Sequence, residues 1–448
     1  MLNLWQMKKR KSDIMFAKIC AMFLSVLAAL FASFSPMPEV APMQVEPDPD
    51  FTPVLRFVVS SDSHVGKYGD FKTERIMKMI NTGYAAAEAD PNYGKLDAAV
   101  LVGDTTDTGL PSTFISIKAA VTKVLKDGTD FLAVAAKNHD SYLGRISRCY
   151  ISGITGDSAD FHKVINGYHF IGLSASPLSI IHYTKAQLDW LDEQLAEAVA
   201  DDPAKPVFVF QHEHIYNTVY GSFPEDTWGV EFFTDILNKY PQVIDISGHS
   251  HYPANDPRAI WQGVFTALND GGLNYYEFTI DGAKSQHPES SDNMAHMLLV
   301  EVNAENTVKV RVCDLNAEAV LAEYLIDNVA DPVKTKYAFD SRRAAASAPV
   351  FTSEPQISVN GKKVTVTTAP ATVSDDDVVF IYRLQILGVD NNAAVSAKKL
   401  GDYYKNAEAG DITLTAEVPS AGVYTVKLTA EDAWGLRSET QTAQITVE

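Results

Sequence analysis

The sequence predicts a layered α/β domain followed by an all-β domain, and three observations carry that expectation. From about residue 54, short apolar runs rich in β-branched and aromatic residues alternate with segments whose apolar residues recur at helical spacing. From Ala259 short strands dominate, which adds a second sheet packed against the first. Beyond Phe351 the pattern becomes alternating strands separated by turn residues at short intervals, which indicates a β-sandwich. At 448 residues, 46% hydrophobic and 21% charged, the chain has enough material for two or three domains with full cores.

The start of the chain differs in kind. Lys8-Lys9-Arg10-Lys11 precedes an uncharged run of roughly 16 residues, Ile19 to Phe34. That length suits a signal peptide and is short for a spanning helix, so residues 1–35 are expected to be a signal peptide or, failing cleavage, a membrane anchor. Export makes the protein secreted or cell-surface anchored, in the manner of bacterial export. Residues 36–53 carry Pro36, Pro38, Pro42, Pro47, Pro49 and Pro53 and read as an extended tether. Cys20 would leave with a cleaved signal, and Cys149 and Cys313 either pair or stay as separate buried thiols.

Within residues 54–335 the first strand ends at Ser60, and Thr73 to Ala89 has the apolar spacing of an amphipathic helix. Strands at Ala98–Val102 and Phe131–Ala135 flank a helix from about Pro111 to Leu125. Tyr168–Leu173 is a strand, and Thr184 with Gln187 forms a capping box for the helix that follows. Pro206 opens another strand, Trp228 to Tyr240 is expected to be a helix, and strands follow at Val264–Leu268, Tyr275–Ile280, Met297–Val302 and Val308–Val312. Residues 336–350 read as a linker, and 351–448 as the β-sandwich.

The functional signal lies where the apolar runs stop. Leu55 to Ser60 runs into Asp62 and His64, and Val100-Leu101-Val102 into Gly103-Asp104. Leu132 to Val134 leads to Asn138-His139-Asp140, Val207 to Phe210 to His212, and Val243 to Ser247 to Gly248-His249-Ser250-His251. Ligands in α/β sheets gather past strand C-terminal ends, so these runs bring oxygen and imidazole donors to one place. Asp62 and His64, like His249 and His251, are one residue apart and on extended chain would project to one side. Each piece alone is weak, since a lone Asp-x-His is usually a turn and a lone histidine usually a satisfied polar residue. His162, His169, His182, His287 and His296 are read in that bland way.

The ordered set Asp62-x-His64, Gly103-Asp104-x-x-Asp107, Asn138-His139-Asp140, His212 and Gly248-His249-x-His251 resembles the calcineurin-like metallophosphoesterase superfamily, over roughly residues 55 to 315. The resemblance implies a four-layer α-β-β-α sandwich with two divalent metal ions (Mn, Fe or Zn) at the strand ends. One ion would be held by Asp62, His64, Asp104 and His251, the other by Asp104, Asn138, His212 and His249. Two such cations, roughly 3.5–4 Å apart, would lower the pKa of a bridging water so that hydroxide attacks phosphorus. His139 would protonate the leaving oxygen, and Asp140 would hold its other ring nitrogen. Asp107 would orient the Asp104 loop. Lys137 stands where the family usually has glycine, and either points to solvent or reaches the phosphate. His214, Asn217 and Tyr220, with Tyr68 and Asn255, are the remaining expected substrate contacts.

The expected function is therefore an exported two-metal phosphoesterase acting on a small phosphomonoester or phosphodiester, a nucleotide among the options. The alternative from another class is a cell-surface binding protein on a degenerate phosphoesterase scaffold. A net charge of −20, from 37 basic and 57 acidic residues, repels nucleic-acid backbones and anionic membranes, which argues against long DNA or RNA as substrate. Membrane contact is expected only through an uncleaved N-terminal segment. The last domain resembles a fibronectin type III or immunoglobulin-like module, around Ala430 to Gly435, and reads as a spacer with no identified partner.

Overall fold

A computed structural model describes residues 2–448 except 142–146, 177–181, 227, 289, 375, 390–392 and 406–409, and side chains are not described for 2–14, 16, 17, 34, 393 and 394. The chain divides into two compact units, Met1–Ala254 with Ala259–Thr335, and Asn255–Arg258 with Lys336–Glu448.

The first unit begins with α1 (Leu2–Phe34), β1 (Pro53–Ser60), α2 (Lys72–Ala89), β2 (Ala98–Val102), α3 (Pro111–Val124) and β3 (Asp130–Val134). It continues through α4 (Ser147–Thr155), β4 (Phe161–Ile165), β5 (Tyr168–Gly172), α5 (Lys185–Asp201) and β6 (Val207–Phe210). Then come β7 (His214–Ile215), β8 (Gly229–Val230), α6 (Thr234–Leu237), β9 (Val243–Ser247), β10 (Ile260–Gln262) and β11 (Thr266–Asn269). The unit closes with β12 (Phe278–Ile280), β13 (Ala283–Gln286), β14 (His296–Asn303), β15 (Val308–Asp314) and β16 (Ala319–Ile326).

Two six-stranded sheets form its centre, ordered β16-β15-β14-β1-β2-β3 and β10-β11-β9-β6-β5-β4. The strands β1, β2 and β3 run parallel, as do β5, β6, β9 and β11, so their C-terminal ends collect at one edge. Alternation along β1 shows how the layers stack. Phe57 points inward and meets Phe170 and Phe208 of the other sheet, with ring centroids 5.1 and 4.9 Å away. Its neighbour Val58 points outward into the cluster formed with Ile76, Ile80, Phe114 and Ile117 of α2 and α3. On the far side, Ile171 and Val209 pack against Leu191 and Leu195 of α5 and Phe233 beside α6. The result is the expected α-β-β-α order of layers.

The capping box forms: Thr184 accepts from the Gln187 amide while Gln187 reaches back to the Thr184 amide. The helix expected over Trp228 to Tyr240 shrinks to the single turn α6, because Gly229 and Val230 pair with His214 and Ile215 instead. The fit there is close, since a Cβ on Gly229 would sit 2.8 Å from the Tyr216 Cα. α4, β4 and β16 were not anticipated; they are short, half-buried or at a sheet edge, where apolar periodicity is faint.

In α1, Leu24 and Ala28 are buried in the cluster on the outer face of the first sheet, with Leu24 against Gly153 of α4. Among the described residues no helix is long and apolar enough to cross a membrane. The three cysteines are free; Cys149 lies 2.9 Å from Cys20 while Cys313 is buried within β15, so Cys149 and Cys313 do not pair.

The second unit contains α7 (Phe339–Ala345), β17 (Gln356–Asn360), β18 (Lys363–Thr368), β19 (Val379–Leu387), β20 (Ala393–Leu400), β21 (Ile412–Glu417), β22 (Gly422–Asp432) and β23 (Gln441–Val447). Its antiparallel sheets, β17-β18-β21 and β20-β19-β22-β23, share one core in which Val364, Val366 and Leu414 meet Tyr382, Leu384 and Leu428. The stretch read as a linker carries α7 because its Arg-Arg-Ala-Ala run is made of strong helix formers.

Candidate metal centre

Every candidate metal ligand lies two or four residues past a strand end, and the local backbone is unusual at five of them. Asp62, His64, Asp104, His249 and His251 all have positive φ, between 44° and 75°. Left-handed backbone is costly for residues with a Cβ and concentrates at functional sites. This corrects the reason given for Asp62 and His64 sharing a side: β1 has already ended at Ser60, so strand alternation does not apply. A left-handed turn locked by the Asp62 amide to the Gly103 carbonyl and the His64 amide to the Asp104 carbonyl, both 3.0 Å, aims the two side chains instead. The same holds for His249 and His251. Gly103 is needed here on two counts: its φ is +84°, and a Cβ would lie 2.5 Å from His212 Nδ1.

The side chains form two adjoining groups that could each hold a cation, Asp62 with His64 and His251, and Asp104 with His212 and His249. In the first, Asp62 Oδ1 lies 3.3 Å from His251 Nε2 and 3.7 Å from His64 Nε2, and those two nitrogens are 3.2 Å apart. In the second, His212 Nε2 lies 3.2 Å from Asp104 Oδ2 and 3.2 Å from His249 Nδ1. The groups adjoin, because Asp62 Oδ1 is 3.9 Å from His212 Nε2. A third group, His64 with Asp107 and His139, borders them.

Three features show that these residues fit cations. Asp62 Oδ1 is buried and has no hydrogen-bond partner, an arrangement that costs free energy unless something else satisfies it. Meanwhile Asp62 Oδ2 is fully used, accepting from the His249 amide at 2.9 Å and from Ser61 Oγ, which also binds Asp270. Finally, backbone carbonyls take the far nitrogens of two imidazoles: Val102 takes His212 Nδ1 at 2.8 Å and Tyr275 takes His251 Nδ1 at 3.1 Å. Those contacts turn each Nε2 inward, where it offers a lone pair to a cation once its proton is displaced.

The electrostatics follow from the crowding. Burial works against the charged form of Asp104, yet His212 and His64 outweigh it and hold the carboxyl at about 2. Asp62 likewise lies well below the usual carboxylate range, held there by His251 and His212 against burial. His212 is raised well above its ordinary value, with Asp104 and Asp62 overcoming burial. His249 is pushed down to about 4 by burial and the neighbouring His212.

Other expected site residues are placed differently. His139 is near the centre, its amide donating to Asp104 Oδ1 at 3.3 Å, while the preceding Asn138 is exposed. Asp140 does not hold its ring. The Asp140 carboxylate is buried among Thr105 Oγ1 (2.8 Å), the Thr106 amide (2.9 Å) and the Ala136 amide (3.0 Å), tying the second and third strand-end loops together, and burial with Asp104 raises it to about 6. The partner of His139 Nδ1 is Asp107, through its carbonyl at 2.9 Å and its carboxylate at 3.7 Å.

His214 is not turned to substrate. It is wholly buried between Ser247 Oγ (2.9 Å) and Ser250 Oγ (2.8 Å), and burial with the His249 charge pushes it down to about 3. Tyr220 is also a strut, its hydroxyl bonded to the Thr279 carbonyl at 3.0 Å and its ring against Tyr252. Asn217 is exposed on a left-handed turn, and Lys137 is half-exposed. The Tyr68 hydroxyl reaches the Ser35 carbonyl, 3.2 Å away, and Asn255 belongs to the second unit.

Four neighbours escaped the sequence reading. Tyr275 stacks on His251, Trp228 stands edge-on to His249 at 5.0 Å, and buried Glu213 bonds His182 (2.6 Å) and Tyr183 (2.9 Å). Asp270 backs Asp62 through Ser61. Only Glu213 sits next to a motif residue, so sequence position alone gave no other signal.

No protein-family model matches the chain. A curated relative, the probable cyclic nucleotide phosphodiesterase of Rhodococcus erythropolis, is 29% identical over 152 residues, covering 32% of this chain and 47% of that protein. The chain thus matches about half the length of that relative. Among solved structures, the purple acid phosphatase of yellow lupin overlaps at a TM-score of 0.40 and 12% identity, over 65% of this chain and 57% of that one. GAP50, the anchor in the inner membrane complex of Plasmodium, overlaps at 0.38 and 15% identity, over 65% and 92%.

Proposed function

We propose that this chain is a calcineurin-like metallophosphoesterase that hydrolyses a small phosphomonoester or phosphodiester with a pair of divalent cations. The observation that carries this reading is the convergence of Asp62, His64 and His251 beside Asp104, His212 and His249, with Asp62 Oδ1 buried and otherwise unsatisfied. Asp62, His64, Asp104 and His251 would hold one cation, and Asp104, Asn138, His212 and His249 the other. Mixed carboxylate, amide and imidazole donors suit Mn, Fe or Zn. When bound, such a pair supplies a water-derived nucleophile near neutral pH and offsets charge on the phosphate oxygens.

The chain's own residues do the rest. His139 is positioned to pass a proton to the leaving oxygen. The Asp107 carbonyl at 2.9 Å and carboxylate at 3.7 Å both face its Nδ1, so they orient the ring and leave Nε2 as the atom for the proton transfer. Asp140 keeps the loops that carry Asp104 and His139 in register. The name of the curated relative supports a cyclic nucleotide or another phosphodiester as substrate.

The test is turnover of p-nitrophenyl phosphate and its bis-ester by purified protein with Mn²⁺. Hydrolysis that chelator abolishes and Mn²⁺ restores is the expected result. Intact metal binding with no turnover across phosphoester panels would instead favour a binding protein on this scaffold. Export is part of the proposal, supported by the basic residues Lys8 to Lys11 ahead of the apolar run. N-terminal sequencing of protein recovered outside the cell should begin after that run, and retention inside the cell at full length would contradict it.

A further inference from the structure

We propose that Tyr275 is a substrate-contacting residue of this site, its hydroxyl donating a hydrogen bond to a phosphoryl oxygen of the bound ester. The inference rests on the reading of the site as a phosphoesterase centre and adds a residue that no motif supplies. The loop carrying Tyr275 is fastened to the centre by its backbone. Gly272, with φ +124°, passes so close to Asp62 that a Cβ would lie 3.0 Å from the Asp62 Cβ, and the Leu273 amide donates to the Ser61 carbonyl at 2.9 Å.

Tyr275 then meets His251 twice. Its carbonyl accepts from His251 Nδ1 at 3.1 Å, and its ring lies on the imidazole at a centroid distance of 3.9 Å and 9° between planes. The ring of His64 is 5.7 Å away, so Tyr275 flanks both histidines of the first group. Stacking fixes the ring before any ligand arrives, which lowers the entropic cost of using its hydroxyl.

The hydroxyl itself is the unexplained part. Tyrosines in the same wall have theirs engaged: Tyr252 with Thr279, Tyr276 with His296 at 3.0 Å, and Tyr220 with the Thr279 carbonyl at 3.0 Å. The Tyr275 hydroxyl has no hydrogen-bond partner among the described residues, although the ring is only half-exposed. Arg75, the cation nearest this loop in its contacts, is taken by the carbonyls of Leu273, Asn274, Met294 and Asp292 at 2.7 to 3.0 Å. The Tyr275 phenol, beside His64 and His251, is thus available to meet a phosphate oxygen.

The experiment compares wild type and Tyr275→Phe, each loaded with Mn²⁺, by metal content, by calorimetric titration with inorganic phosphate, and by steady-state kinetics. Tyr275→Phe keeps the ring and its stack, so metal content should be unchanged while phosphate affinity falls and KM rises, each about tenfold, the worth of one hydrogen bond to a charged group. Unchanged phosphate affinity and KM would overturn the proposal, as would a loss of bound metal, which would make Tyr275 a ligand-positioning residue only. The phosphate titration also separates the two readings. A wild type that turns over no ester sinks the enzymatic one, while a tenfold weaker phosphate titration in Tyr275→Phe still supports the contact.

Discussion

Asp104→Ala should lower kcat by roughly 10³-fold or more, the largest single effect expected in the chain, because both cation groups lose a donor together. Its Oδ2 faces His212 Nε2 at 3.2 Å and its Oδ1 accepts from the His139 amide at 3.3 Å, so the substitution frees the second group and loosens the loop bearing the proton donor. It also removes the charge that does most to keep His212 protonated in metal-free protein. Steady-state kinetics beside metal analysis reads both consequences. Asp104→Asn, nearly the same shape without the charge, should lose almost as much activity. Wild-type kcat in either variant would remove Asp104 from the centre.

Metal removal should cost stability, and the cost should depend on pH. Cations that bind only the folded state add about 2.7 kcal/mol per site at a concentration a hundredfold above Kd, which is roughly 5 °C or more in Tm. The sign with pH comes from His212. Its folded pKa is raised, so its ion pairs with Asp104 and Asp62 stabilise metal-free protein fully below the ordinary histidine value and are lost as pH climbs through the raised one. A cation replaces that proton. The increment from Mn²⁺ should therefore be small near pH 6 and grow toward pH 8. Thermal melts with Mn²⁺ and with chelator across that range check it, and an increment that shrinks with rising pH would contradict it.

Much of this centre was legible because chemistry and chain order coincide there. Apolar runs ending in Asp62, Asp104, His212 and the pair His249 and His251 gave both the parallel strands and the donors. The reason offered for paired orientation was wrong, since left-handed backbone past the strand ends, not strand alternation, aims Asp62, His64, His249 and His251. Contacts made through space were out of reach. Asp107 rather than Asp140 holds His139, although both belong to the motif set, because loop geometry decides which carboxylate arrives. His214 was misjudged for a related reason: β7 turns it inward between two serines. Tyr275 carries no local pattern at all, and only the approach of Gly272 to Asp62 brings it to His251.

The most direct test is an anomalous difference map from crystals soaked in Mn²⁺. Two adjacent peaks are expected, one among Asp62, His64 and His251 and one among Asp104, His212 and His249, with Asp104 between them. An empty centre at saturating Mn²⁺, or ions bound only at exposed acids elsewhere, would contradict the account.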